Sequence, residues 1–191
     1  MLSTILLMAA ALSEGDCGVA RWERADFPSM VILRPSEKSC GMAILIDRKR
    51  RLVLTVPHIW RDWPDDVYWG DGASDSGRAR KIGERGRLLV AELDHVPRSV
   101  QQAGIGSVPK PGSVVSAPFM IYGGRIVRVR GPFLGIDADG DLVIDLAITP
   151  GSSGGPISDG SGRVVALVDA SGGNHHWKFR PMMFALPTII P

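Results

Sequence analysis

The run ITPGSSGGPI at residues 148–157 is where this sequence most openly offers chemistry. A serine acting as a nucleophile needs its hydroxyl projected from a sharp turn, with backbone N–H groups aimed at the oxyanion that forms beside it. Glycines let a backbone bend that tightly and approach a substrate closely. On this reading Ser153 is the nucleophile, the N–H groups of Gly151 and Ser153 form the oxyanion hole, and Gly154 and Gly155 give the turn its path. By itself the run also reads as a Gly/Ser-rich hairpin loop. A serine hydroxyl is a weak nucleophile at neutral pH and needs a base beside it, and the imidazole of a histidine can take and return its proton. His58, at the end of LVLTVPHIW, follows a strand-like apolar run and is the candidate base.

The elements that must hold these two residues are short and strand-like. MVILR, MAILID, RLVLTV and RLLVAELD recur in the first half, and SVVSAPFMIY, RIVRVR, DLVIDLAI and RVVALVDA in the second. Turn-rich stretches such as RPSEKSCG and GDGASDSG separate them. No helix of ordinary length is expected beyond a short turn around HIWRDW. The 23 glycines and 14 prolines among 191 residues agree with many short elements. GIGSVPKPG, residues 104–112, interrupts the strand pattern and reads as a connector between two β units. The expected organisation is a first barrel over 24–103 carrying His58, the connector, and a second barrel over 113–187 carrying Ser153.

Composition narrows the class further. With 22 Lys+Arg against 20 Asp+Glu there is no basic field to attract a nucleic acid. Cys17 and Cys40 make at most one bridge and no zinc cluster. Residues 1–15 begin with an apolar, small-residue run too short to span a membrane and close to the apolar part of an export signal, although no Lys or Arg precedes it. Export to the periplasm or outside the cell is the expectation, with a disordered leader of a cytoplasmic protein as the alternative.

LVLTVPHIW resembles the histidine motif of trypsin-like serine proteases, and PGSSGGPI resembles their G-x-S-G-G-P serine motif. DLAI before Pro150, GRVVALV after the serine and the closing MMFALP are similar to segments of bacterial members, so the likeness runs from about residue 30 to 187. The resemblance implies an all-β fold of two antiparallel six-stranded barrels packed at right angles, with His and Asp from the first and Ser from the second. It implies a triad completed by an aspartate at a strand end a few tens of residues after the histidine, orienting the imidazole. Asp94, closing RLLVAELD, fits by position, although HVPRSV follows it where the family continues with an apolar run; the alternatives behind His58 are another carboxylate such as Asp65 or Asp66, or only a water.

The family's primary pocket would be lined here by Ala147, Ile148, Thr149, Ala170 and Ser171, with Asp169 pointing elsewhere. Such a lining favours a small or medium apolar side chain before the cleaved bond. Two departures stand out. Pro57 replaces the family's alanine and holds Val56 extended. Ser152 stands where digestive trypsins carry the aspartate that pairs with a new N-terminus, so the likeness is to members made without a zymogen.

Other motifs carry less. GSSGG also satisfies the G-x-S-x-G elbow of α/β-hydrolases, but that elbow runs directly into a helix, and GPISDGSGRVV cannot form one. DADGD at 137–141 lacks the glycine and twelfth-position acid of a calcium loop and reads as a hairpin turn. RKRR at 48–51 reads as a charged hairpin, and His175 and His176 as a loop near the second-barrel cleft. The expected activity is serine endopeptidase hydrolysis of a protein or peptide, with no cofactor or metal. The alternative is an inactive barrel of the same fold used as a protein-binding module.

Overall fold

The computed structural model describes residues 22–36, 39–60, 66–72, 75–121, 124–146, 148–170 and 177–181, with backbone alone at 36, 66, 170 and 177–181. Strands β1 (Met30–Ser36), β2 (Ser39–Asp47), β3 (Leu52–Thr55), β4 (Asp66–Gly70), β5 (Ser76–Arg85) and β6 (Leu88–Leu93) close into a barrel in the order β1-β2-β3-β6-β5-β4. Strands β7 (Val114–Ile121), β8 (Arg125–Ile136), β9 (Leu142–Ile144), β10 (Pro156–Ser158), β11 (Val164–Ala170) and β12 (Trp177–Pro181) close a second, in the order β10-β11-β12-β9-β8-β7. All pairings between these strands are antiparallel, and the only helical element among the described residues is a 3-10 turn at Pro57–Ile59.

The apolar runs become barrel strands because each has a core face and, in β2 and β3, a covered outer face as well. Residues 41–46 of β2 are all buried, as is every residue of β3. The outside of β2 is roofed by the segment after β6. Its Ala103 N–H donates to Leu45 O at 2.7 Å, and Val100 and Ala103 join the first barrel's core. Burying a Leu or Ile side chain contributes about 1.5–3 kcal/mol, so these runs supply most of what holds the barrel closed.

The barrels meet along a seam that belongs to both. Val164 and Leu167 of β11 pack into the first barrel's core. A separate cluster joins Phe27, Met30, Ile32 and Met42 to Ile126 of β8. The connector docks as well as links, since Ile105 forms a parallel bridge with Val164. Four strands escaped the sequence reading: β4, β5, the three-residue β10 and β12. The turn assigned to GDGASDSG ends at Ser76 and Gly77, which already belong to β5. The hairpins read at 48–51 and 137–141 connect β2 to β3 and β8 to β9, the second held by N–H donors of Asp139 and Asp141 on Asp137 Oδ1.

Candidate active site

Ser153 lies in the turn between β9 and β10, and glycine geometry shapes that turn. Gly151 has φ +90° and Gly154 φ +77°, a region L side chains rarely enter. Ser152 turns inward and is fully buried, its Oγ 3.5 Å from Thr149 Oγ1 and accepting from Met120 N at 3.4 Å. Ser153 is half-buried. The N–H groups of Ser152, Gly154 and Gly155 donate to Thr149, Val168 and Ser152 carbonyls. Among the described residues, those of Gly151 and Ser153 have no such acceptor, which is what an oxyanion hole requires.

The serine turn is stitched directly to the first barrel. Met42 N of β2 donates to Ser153 O at 2.7 Å, and a Cβ on Gly154 would stand 1.9 Å from Met42 O and 2.4 Å from Thr55 Oγ1. Thr55 ends β3, three residues before His58. Val56, extended at φ −108° and ψ 145° as a residue before proline must be, leads into the 3-10 turn. Ile59 and Trp60 are buried there, Ile59 filling the space above Gly41, and this pins the turn while His58 stays exposed. The fold therefore brings the His58 turn and the Ser153 turn to the same stretch of the seam.

Asp94 is not part of this arrangement, which corrects the expectation. In the antiparallel β3–β6 pair, Thr55 faces Leu89 while Leu52 faces Glu92, so the C-terminal end of β6 lies at the far end of β3 from His58. There Asp94 accepts from Trp69 Nε1 at 3.0 Å, Arg78 N at 3.0 Å and His95 N at 2.9 Å. Burial works against its charge, but these hydrogen bonds hold its carboxyl below the ordinary aspartate value. The residue at His58's end of β6 is Arg87.

The carboxylate that does approach His58 is Asp169, near the end of β11. Its Oδ1 stands 3.7 Å from His58 Nδ1, within ion-pair range and beyond a hydrogen bond. Its Oδ2 is in contact with Arg87 Nε, and Arg87 Nη1 donates to Asp141 Oδ2 at 2.7 Å. Burial disfavours charge on Arg87, yet attraction to Asp169 and then Asp141 prevails and raises its pKa above the ordinary arginine value. The sequence carried one signal for this position: Arg87 is the residue immediately before the apolar run LLVAEL.

Of the expected pocket residues, Ile148 is part of the second barrel's core. Thr149 spends its hydroxyl on Met120 O at 2.7 Å. Both serve the serine turn as supports. Ala147 and Ser171 lie outside the described residues, as do Asp65, His175, His176 and the leader, and Ala170 is described in backbone only. Cys40 is disulfide-bonded, and the chain's one other cysteine, Cys17, also lies outside the described residues. Among the described residues no cluster of His, Cys, Asp and Glu suits a metal ion, and no helix is long and apolar enough to cross a membrane.

No family model matches the chain, and no curated protein matches it. Among solved structures it is similar to a serine endoprotease from Yersinia pestis, with 19% identity and a TM-score of 0.74, over 86% of this chain and 62% of that one. This chain thus spans less than two thirds of that structure's length. With two closed six-stranded barrels and a serine turn at their seam, the chain has the trypsin-like double β-barrel fold.

Proposed function

We propose that this protein is a serine endopeptidase that hydrolyses peptide bonds through an acyl-enzyme. Ser153 Oγ attacks the scissile carbonyl while His58 takes its proton, and the tetrahedral oxyanion accepts hydrogen bonds from the N–H groups of Gly151 and Ser153. Collapse expels the amine, which receives the proton from His58. Water then attacks the acyl-enzyme by the same route in reverse, with His58 again as base. The substrate is a protein or peptide, and this chemistry calls on no cofactor.

The observation that carries the reading is the pair of N–H groups at Gly151 and Ser153 that find no backbone acceptor among the described residues, in a turn stitched through Met42 and Gly154 to the barrel that bears His58. The likeness to a serine endoprotease supports it at the level of fold. The rival reading, an inactive barrel that binds protein, draws on the exposed imidazole standing 3.7 Å from its carboxylate. Catalytic hydrogen bonds are often long in an unliganded site and tighten once substrate arrives, so that spacing suits either reading. A fluorophosphonate probe separates the two. Labelling of the folded protein, abolished by Ser153→Ala, is expected; a folded protein that stays unlabelled is the binding module.

A further inference from the structure

Asp169 is a charge kept almost entirely from water, at 4% exposure. A buried carboxylate is costly unless partners compensate it, and its partners here are Arg87 and His58. The backbone fixes it relative to the nucleophile. Val168, the residue before it, accepts from Gly154 N at 2.7 Å and donates to Gly155 O at 2.9 Å, so the end of β11 is bound to the turn that presents Ser153.

Arg87 sets the electrostatics of this corner. It reaches from the first barrel to two carboxylates of the second, Asp141 with no exposed side chain and Asp169. Asp169 thus has the guanidinium on one oxygen and the His58 imidazole facing the other. The guanidinium stands between the two buried carboxylates and ties the end of β11 to the start of β6. With Oδ2 held by Arg87, Asp169 turns Oδ1 towards Nδ1 of the imidazole.

We propose that Asp169, held by Arg87, is the positioning carboxylate of His58, so that the base on the first barrel is oriented from the second. A small inward shift of the ring lets Nδ1–H donate to Asp169 Oδ1. This fixes the tautomer whose Nε2 is free for Ser153 and stabilises the imidazolium that forms during attack. Arg87 occupies the place before the apolar run of β6 where a carboxylate of the first barrel would stand. The charges across the seam are thereby exchanged: cation on the first barrel, carboxylate on the second.

The proposal rests on Ser153 and His58 being nucleophile and base, and the test keeps the two claims apart. In the full chain, Asp169→Asn is expected to lower kcat and the rate of fluorophosphonate labelling on the order of a thousandfold while KM moves little, and Asp94→Asn to leave both within about twofold. A downfield imidazole Nδ1–H proton resonance, assigned by its loss in His58→Gln, is expected in Ser153→Ala and in Ser153→Ala/Asp94→Asn. It should be absent from Ser153→Ala/Asp169→Asn.

Asp169→Asn that labels at the wild-type rate and keeps the resonance overturns the proposal. A wild type that never labels overturns the peptidase reading, and the resonance then still decides whether His58 pairs with Asp169. If Asp169→Asn alone fails to fold, Asp169→Ala, which leaves Arg87 paired with Asp141, keeps the test open. The same loss of rate and resonance is expected of it, and their retention refutes the assignment.

Discussion

Gly154 carries two demands that no other residue type meets. Its φ is +77°, and a Cβ there would lie 1.9 Å from the carbonyl oxygen of Met42, a backbone atom that cannot swing aside. Gly154→Ala is therefore expected to destabilise the fold by at least about 2 kcal/mol in chemical denaturation, through backbone strain and forced separation of the barrels. His95 gives a pH-dependent test of the far end of the first barrel. Its Nε2 lies 2.8 Å from Asp75 Oδ1 and its Nδ1 3.0 Å from Asp94 Oδ1, with Asp75 first among the groups that hold its pKa above the ordinary imidazole value. A raised histidine contributes stability that is fully present below its unfolded value and disappears as pH rises through the folded one. The lowered Asp94 contributes above the ordinary aspartate value and loses its contribution in acid. The cluster therefore helps most in mildly acidic solution. Because its groups are well exposed, His95→Gln is expected to cost only about 0.5 kcal/mol near pH 5.5 and almost nothing near pH 9, read from urea unfolding at each pH.

At the scale of elements, the His58 turn shows how a strand end is aimed. Pro57 sets the extended approach at Val56, and Ile59 anchors the turn on Gly41, where a Cβ would stand 2.3 Å from Ile59 Cδ1. Ile59→Ala is expected to cost about 2–4 kcal/mol of stability for the cavity it leaves. Labelling by a fluorophosphonate should slow at least tenfold even under conditions where the variant is fully folded, because the imidazole loses its footing; an unchanged rate would show that other contacts hold the ring. The turns bearing Ser153 and His58 were legible because glycine-rich turns and the ends of buried apolar runs are local signals. β5 was not, since only Ala79 of its ten residues is buried and its place depends on pairing with β4 and β6. The third site residue was misread for a related reason. An apolar strand looks the same from either end, and Asp94 and Arg87 flank the same run; only the antiparallel register of β3 with β6 decides which flank lies beside His58. Asp169 arrives from the other barrel, and no spacing along the chain announces a contact across a seam.

For the whole molecule, the seam makes the two barrels thermodynamically dependent on each other. Val164 and Leu167 of the second are core residues of the first, and Ile126 closes a cluster otherwise built from first-barrel residues and Phe27. Polar links follow the same line: Met42 to Ser153, Gly104 and Gly106 to Val164, and Arg87 to the buried carboxylates Asp141 and Asp169. Opening the seam would expose these apolar side chains and break the ion pairs of Arg87 with Asp141 and Asp169, so neither barrel unfolds at the other's expense without losing part of its own core. One cooperative transition is expected. The chain supplies its own probes, since Trp22, Trp60, Trp63 and Trp69 all precede the connector and only Trp177 follows it. Tryptophan fluorescence therefore reports chiefly on the first barrel, while far-ultraviolet circular dichroism reports on the strands of both. Their guanidinium midpoints should coincide in the wild type and move together in Gly154→Ala. Separated midpoints would mean that each barrel keeps its core without its neighbour, and that the orientation of His58 from across the seam is an assembly step taken after folding.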